Sequence, residues 1–307
     1  MKISLVTPAG PGTRNGNRHT ALRWAAFLRA AGHKVSVSTK DIGSDADLLL
    51  ALHARRSHES ILELWRNHPQ KRIVLALTGT DVYRDIRISG EAQESLERAD
   101  RLIVLQPKAI EQLAPHLQGK ARVVVQSSAT RLRHHPAKGP FRLCVIGHLR
   151  EEKDPLRALA ALRFLPEAEV EVVQMGTLLD PALKPKTQDK RYRWLGGVTH
   201  GRALKLLASS HAMVISSRME GGANVVCEAI RVGVPVLASH ISGNIGLLGE
   251  RYAGYFPVGD ARALARLISL AAKDPALYRM LKKQIAKLRP VVAPRSEARA
   301  LLAAIRA

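Results

Sequence analysis

The chain is predicted to be an α/β protein with two doubly wound parallel-sheet domains, and three observations lead there. Short β-rich apolar runs alternate with helical patterns, the 307 residues suffice for two domains of ordinary size, and one irregular basic stretch at 131–140 interrupts the alternation. Parallel strands covered on both faces by helices read as such apolar runs, and ligands in these sheets sit beyond the carboxyl ends of the strands. The site is therefore expected in the loops that follow strands, in a cleft between the two domains.

The elements follow in order. Strand patterns at 3–7, 35–39, 48–53 and 73–78 are separated by helical patterns at 20–31 and 58–67. A strand at 102–106, a helix over about 107–117 and a strand at 123–126 complete the first series, and 131–140, with its Pro, Gly and basic residues, reads as the interdomain linker. The second series has strands at 141–146, 170–174, 213–216, 234–238 and 255–258, with helices in the gaps. Helical patterns at 277–288 and 295–305, separated by Pro290 and Pro294, close the chain. The domains predicted are 1–135 and 136–290, with 291–307 as a final helix.

Composition narrows the function classes. Hydrophobic residues make up 46% and aromatic residues 4%, so the interior is expected to be mainly Leu, Val, Ile and Ala. The net charge of +22 is spread along the chain, +10 through residue 138 and +12 after it, so no basic tail of the kind that binds nucleic acid or membranes stands out. No recognised nucleic-acid module accompanies it; a diffuse positive field still attracts anionic substrates. Cys144 and Cys227, the only cysteines, lie in separate apolar runs and imply neither a disulfide framework nor a zinc site. No apolar run approaches a membrane span, and the first apolar run is too short for a signal peptide. The protein is expected to be cytoplasmic.

Glu220 and Glu228 carry the chemistry, with Gly221, Gly222, Ala223, Asn224 and Val225 directly after the first of them. Two glycines that open a helix bring bare backbone, orphan N–H groups and the positive dipole end to an anion such as a phosphate. Two carboxylates beside an anion site need neutral partners, and sugar hydroxyls are such partners. Glu220 is placed to face a hexose, and Glu228, taken to lie roughly two turns into the helix, to face a ribose. As isolated residues Glu220 would read as solvated and Glu228 as an ordinary surface residue of an amphipathic helix.

Ser216-Ser217-Arg218-Met219-Glu220-Gly221-Gly222-Ala223-Asn224-Val225-Val226-Cys227-Glu228-Ala229, followed by Gly233-Val234-Pro235-Val236-Leu237-Ala238, resembles the donor-site signature of family 4 glycosyltransferases. That resemblance implies the GT-B fold, two Rossmann-like domains, with the last helix returning to the first domain. Leu143-Cys144-Val145-Ile146-Gly147-His148-Leu149-Arg150-Glu151-Glu152-Lys153-Asp154-Pro155 is similar to the family's loop that holds the donor pyrophosphate. Gly147 and Arg150 fall in that loop, and Lys153 matches the phosphate-binding lysine. His148 stands where the family usually has arginine, which matters because arginine is always charged and grips phosphate bidentately. Asp154 and Pro155 suit the cap and first position of a following helix. Glu220, Lys153 and His148 are the candidate catalytic residues.

The acceptor is expected at the loops after the first and fourth strands. The first contributes Gly12, Arg14, Asn15, Asn17, Arg18 and His19, whose cations and helix start suit an anion. The second contributes Thr80 and Asp81, the latter equally explained by an ordinary turn. Together these loops resemble a narrower group, the selenosugar synthases of selenoneine biosynthesis. That resemblance implies transfer of selenium from selenophosphate to a UDP-sugar, UDP-N-acetylglucosamine or UDP-glucose, with loss of UDP and phosphate. No metal and no cofactor is expected, since neither a paired acidic motif nor a Cys/His cluster occurs. The alternatives are a conventional transferase with another acceptor, a nucleotide-sugar epimerase and a non-catalytic anion-binding protein.

Overall fold

The computed structural model describes residues 1–12, 16–40, 45–79, 81–166 and 169–306. They form two units, Met1–Gln126 with the helix Pro294–Arg306, and Ser127–Ala293. Residues 131–140, read above as a linker, run along the second unit, where the His134 N–H donates to Val232 O and the Ala137 N–H to Ser209 O. Among the described residues no helix is long and apolar enough to cross a membrane.

The first unit holds strands β1 (Lys2–Val6), β2 (Lys34–Ser38), β3 (Leu48–Leu52), β4 (Arg72–Leu77), β5 (Arg101–Val104) and β6 (Ala121–Val123), all parallel, in the order β2-β1-β3-β4-β5-β6. Leu48 to Leu52 are all buried, which explains an unbroken apolar run in place of alternation. One core packs beneath helices His58–Asn67 and Gly90–Arg98; the other packs beneath Gly16–Ala30 and Pro294–Arg306. The last helix is anchored there by Leu301, Ala304 and Ile305 and by buried Glu297, which accepts from Trp24 Nε1 at 2.7 Å and Arg23 Nε at 2.8 Å.

Two sequence expectations fail locally. The helix predicted over 107–117 is a 3₁₀ segment, Pro107–Gln112, then extended residues 113–114 and a single turn, Pro115–Gln118. Pro115 disfavours helical backbone at the residue before it, so the apolar spacing cannot propagate. The strand predicted at 123–126 pairs only at its start, as β6.

The second unit holds β7 (Phe141–Ile146), β8 (Val170–Met175), β9 (Tyr192–Trp194), β10 (Ala212–Ile215), β11 (Val236–Ser239) and β12 (Tyr255–Phe256), again all parallel, in the order β12-β11-β10-β7-β8-β9. Counted within the unit this is the 3-2-1-4-5-6 arrangement, whose winding reverses between β7 and β10. In the first unit the reversal falls between β1 and β3. In doubly wound sheets the carboxyl edge at such a reversal is where ligands bind.

Candidate active site

The loop after β7 begins at Gly147, whose N–H donates to Met175 O at 2.9 Å. Gly176 lies opposite with φ +150, and a Cβ there would come within 1.8 Å of Gly147 O, so only glycine allows the two backbones to meet. His148 Nδ1 accepts from the Thr177 N–H at 3.2 Å, which puts the ring proton on Nε2. With Nδ1 engaged by this backbone N–H, His148 does not offer the two-pronged grip of the family arginine. Arg150 Nε lies 3.9 Å from Glu152 Oε2.

A short turn, Glu151–Lys153, follows, and Asp154 closes it in the left-handed region at φ 43. This corrects the expectation that Asp154 and Pro155 open a helix. The helix is Arg157–Leu162, without a side-chain cap, and the Asp154 carboxylate instead clamps Arg157 at 2.8 and 3.2 Å. The strand β10 exit is stapled to the same turn. Ser216 Oγ donates to Asp154 O at 2.8 Å and Lys153 O at 3.2 Å, and the Arg218 N–H donates to Glu152 O at 2.8 Å.

That staple brings Lys153 and Glu220 together across 67 residues, with Nζ 2.5 Å from Oε1. Ser217 Oγ donates to the same oxygen at 2.6 Å, and Glu220 is 8% exposed. Behind it Gly243, in the first turn of the helix Ser242–Leu248, touches the Glu220 backbone so closely that a Cβ would lie 2.0 Å from its carbonyl oxygen.

Gly221 and Gly222 bend the chain into the helix Asn224–Val232, whose N-cap, Ala223, supplies no side-chain bond and whose first turn has no acidic residue. The positive end of its dipole is thus not offset by a capping or acidic side chain. Val226, Cys227, Ala229, Ile230 and Val232 fill the core side, while Val225 and Glu228 are half-buried. Glu228 is the fifth residue of this helix, a little over one turn in and not two, because Gly222 and Ala223 remain outside it. Its Oε1 lies 2.8 Å from His200 Nε2, and this hydrogen bond raises the histidine pKa. His200 was not legible in the sequence; it precedes Glu228 by 28 residues and belongs to no motif.

In the first unit Gly12 follows β1 with φ +82, and Asn17, Arg18 and His19 occupy the first turn of the helix Gly16–Ala30. Arg14, Asn15 and Thr80 lie outside the described residues. Asp81 is corrected from an acceptor group to a scaffold group. Fully buried, it accepts from the N–H groups of Gly79 at 2.7 Å, Thr78 at 3.1 Å and Ala54 at 3.2 Å, which occupies both oxygens. At the same carboxyl edge the hydroxyls of Thr7 and Thr78 are buried without a partner. Also unforeseen is His53, which follows β3 in the left-handed region at φ 81, 4% exposed. Its Nε2 lies 3.7 Å from Asp85 Oδ2, and Asp85 accepts from Arg84 Nε at 3.1 Å and Arg55 Nε at 3.2 Å. Burial lowers the His53 pKa against the pull of Asp81 and Asp85.

A lysine, two carboxylates and a helix start meet at a winding reversal of one of two parallel six-stranded sheets, the framework of the GT-B glycosyltransferases. The chain belongs to the family of glycosyl transferases group 1, which it matches over residues 126–288, just over half its length and nearly all of the second unit. It is 32% identical to glycogen synthase of Mycobacterium tuberculosis over 154 residues, 46% of this chain and 36% of that enzyme, so the match spans about a third of that relative. The fold is similar to that of sucrose-phosphate synthase from Thermosynechococcus elongatus, with a TM-score of 0.76 and 17% identity over 99% of this chain and 98% of that one. It is also similar to Anabaena HepE, solved with UDP and glucose, with a TM-score of 0.73 and 15% identity over 100% and 98% of the two chains.

Proposed function

We propose that the protein is a glycosyltransferase that binds a UDP-sugar, UDP-N-acetylglucosamine or UDP-glucose, on its second unit and transfers the sugar to selenium of selenophosphate. The observation that carries the donor half is the meeting of Lys153, Glu220 and the uncapped start of the helix Asn224–Val232 at one winding reversal. An ammonium and the positive end of a helix dipole suit the pyrophosphate, and Glu220 and Glu228 accept from hydroxyls of hexose and ribose. HepE, similar in fold, was solved with UDP and glucose, which agrees with this use.

In the reaction the selenium lone pair forms the Se–C1 bond as the bond from C1 to the UDP oxygen breaks, and the electron pair leaves on the β-phosphate. Lys153 and the helix start stabilise that charge. Water then cleaves the Se–P bond, releasing phosphate and the 1-seleno sugar. Selenium is nucleophilic enough that no side chain need act as general base. Arg18 and His19, in the first turn of the helix Gly16–Ala30, supply the cationic acceptor side. The protein's place would be selenoneine biosynthesis in the cytoplasm, and the chemistry calls on no metal.

A second reading, transfer to a hydroxyl acceptor, is favoured by the unpartnered hydroxyls of Thr7 and Thr78, which suit hydrogen bonds to a neutral polar ligand. Mass spectrometry of the purified protein with each UDP-sugar, with and without selenophosphate, separates the two. A selenium-containing sugar formed with UDP supports the first; UDP-sugar binding without a selenosugar turns to the second; neither binding nor product refutes the transferase.

A further inference from the structure

Four buried polar groups form a chain that ends on Glu220. Asn244 Nδ2 donates to Ser239 O at 2.9 Å and to its Oγ at 3.1 Å; Ser239 Oγ donates to Ser217 O at 2.6 Å; Ser217 Oγ donates to Glu220 Oε1 at 2.6 Å. Asn244, Ser239 and Ser217 are at most 1% exposed, and Gly243 backs the Glu220 main chain. This carboxylate is fixed from two sides. Lys153 is not, for its ammonium ends a flexible four-carbon stem and its side chain is 22% exposed. When a second anion competes for the pair, the lysine is the partner that moves.

We propose that Glu220 stands in for the donor's pyrophosphate, its fixed carboxylate holding Lys153 in the unliganded protein and handing the ammonium over when a nucleoside diphosphate binds. The inference rests on the donor-site reading above. Before hand-over the pair keeps Lys153 aimed at the winding reversal. Afterwards Glu220 retains only the Ser217 hydroxyl, and a buried carboxylate that has lost its cation is costly. A sugar hydroxyl from the donor restores a partner, which free UDP cannot do. Glu220 thereby discriminates between the two, penalising the spent nucleotide and favouring the intact nucleotide sugar.

A double-mutant cycle read by calorimetric titration with UDP and with UDP-glucose tests this. Glu220→Gln keeps an oxygen for Ser217 and removes the charge. It is expected to tighten UDP about fivefold, the order released by a partly exposed ion pair, and to weaken UDP-glucose. In a Lys153→Ala background the same change is expected to leave UDP affinity within about twofold, because no ammonium remains to release. An equal gain in both backgrounds would mean that Glu220 merely repels phosphate, and the hand-over would be refuted. No gain in either, with Lys153→Ala still weakening UDP, refutes the hand-over and leaves the donor site standing. A wild-type protein that binds no UDP overturns both. Glu220→Ala, with its fold checked by circular dichroism, is the second variant should the first be unstable.

Discussion

Gly243→Ala probes the contact that seats Glu220. A Cβ at this position would lie 2.0 Å from Glu220 O and 2.9 Å from its carbonyl carbon and Cβ. The obstacle is the Glu220 backbone and Cβ, and the carboxylate beyond them is itself held by Ser217 and Lys153, so no flexible side-chain end can yield. Overpacking of this kind costs ~3 kcal/mol at the upper part of its range, while alanine in place of glycine in a helix returns ~1 kcal/mol. A net loss of ~2 kcal/mol corresponds to a melting temperature about 4–8 °C lower for a unit of this size. Glycine 201 is the matched control, since it too is the second residue of its helix, His200–Ser209, but nothing lies within 4 Å of its added Cβ. Scanning calorimetry should show the two substitutions moving the second unit in opposite directions. Reaching 3.0 Å also requires Glu220 O to retreat by roughly 1 Å, a displacement able to cost about a hundredfold in turnover. A Gly243→Ala protein that melts at or above the wild type would refute the reasoning, because the carbonyl would then not be seated against that glycine.

Glu228→Ala should weaken UDP about tenfold in a titration, through loss of a carboxylate that accepts from the ribose; unchanged affinity would reject that role. His134 should make the second unit acid-sensitive. Its Nε2 donates to Ser210 O at 2.9 Å, its Nδ1 is buried without a partner, and burial lowers its pKa to about 4. The folded form therefore resists a proton that the unfolded chain accepts near pH 6.5, so stability falls as pH drops from about 6.5 towards 4, by up to roughly 3 kcal/mol. Denaturant titrations across that range should show the slope in wild type and a flatter profile in His134→Gln. For His200 the sign is opposite: its raised pKa adds stability at low pH that is lost as pH rises through the folded value, and with the ring 60% exposed the effect should stay below ~1 kcal/mol. Turnover should be unchanged by EDTA; a loss restored by a divalent cation would show that the leaving pyrophosphate needs a metal.

What the sequence made legible was local. The strand at 143–146, the turn to Lys153 and the run from Ser216 to Glu228 are contiguous, and their glycines and charges state their chemistry in order. The helix start at Asn224 was only partly legible, because whether Gly222 and Ala223 join the helix depends on how β10 is stapled to the turn at Lys153. Long-range pairings were not legible. His200 with Glu228, Gly243 with Glu220, and Gly176 with Gly147 are contacts between segments that the sheet order brings together. Asp81 shows the converse: an acidic residue after a strand looks like a ligand group until its three backbone donors are seen. The first unit, almost entirely outside the family match, is where more of the site escaped, including His53, Asp85 and the buried Thr7 hydroxyl.

The seating of the last helix has a consequence for biogenesis. Trp24 and Arg23 share the buried carboxylate of Glu297, and Leu301, Ala304 and Ile305 complete the core over β1 and β3. Translation makes residue 24 some 270 residues before its partner, so on a ribosome adding about 5–20 residues per second the first unit waits many seconds with one core face uncovered. The second unit is contiguous and can close first, although its sequence comes later. Nascent chains are thus most exposed to chaperones and proteases through the half that was synthesised earliest.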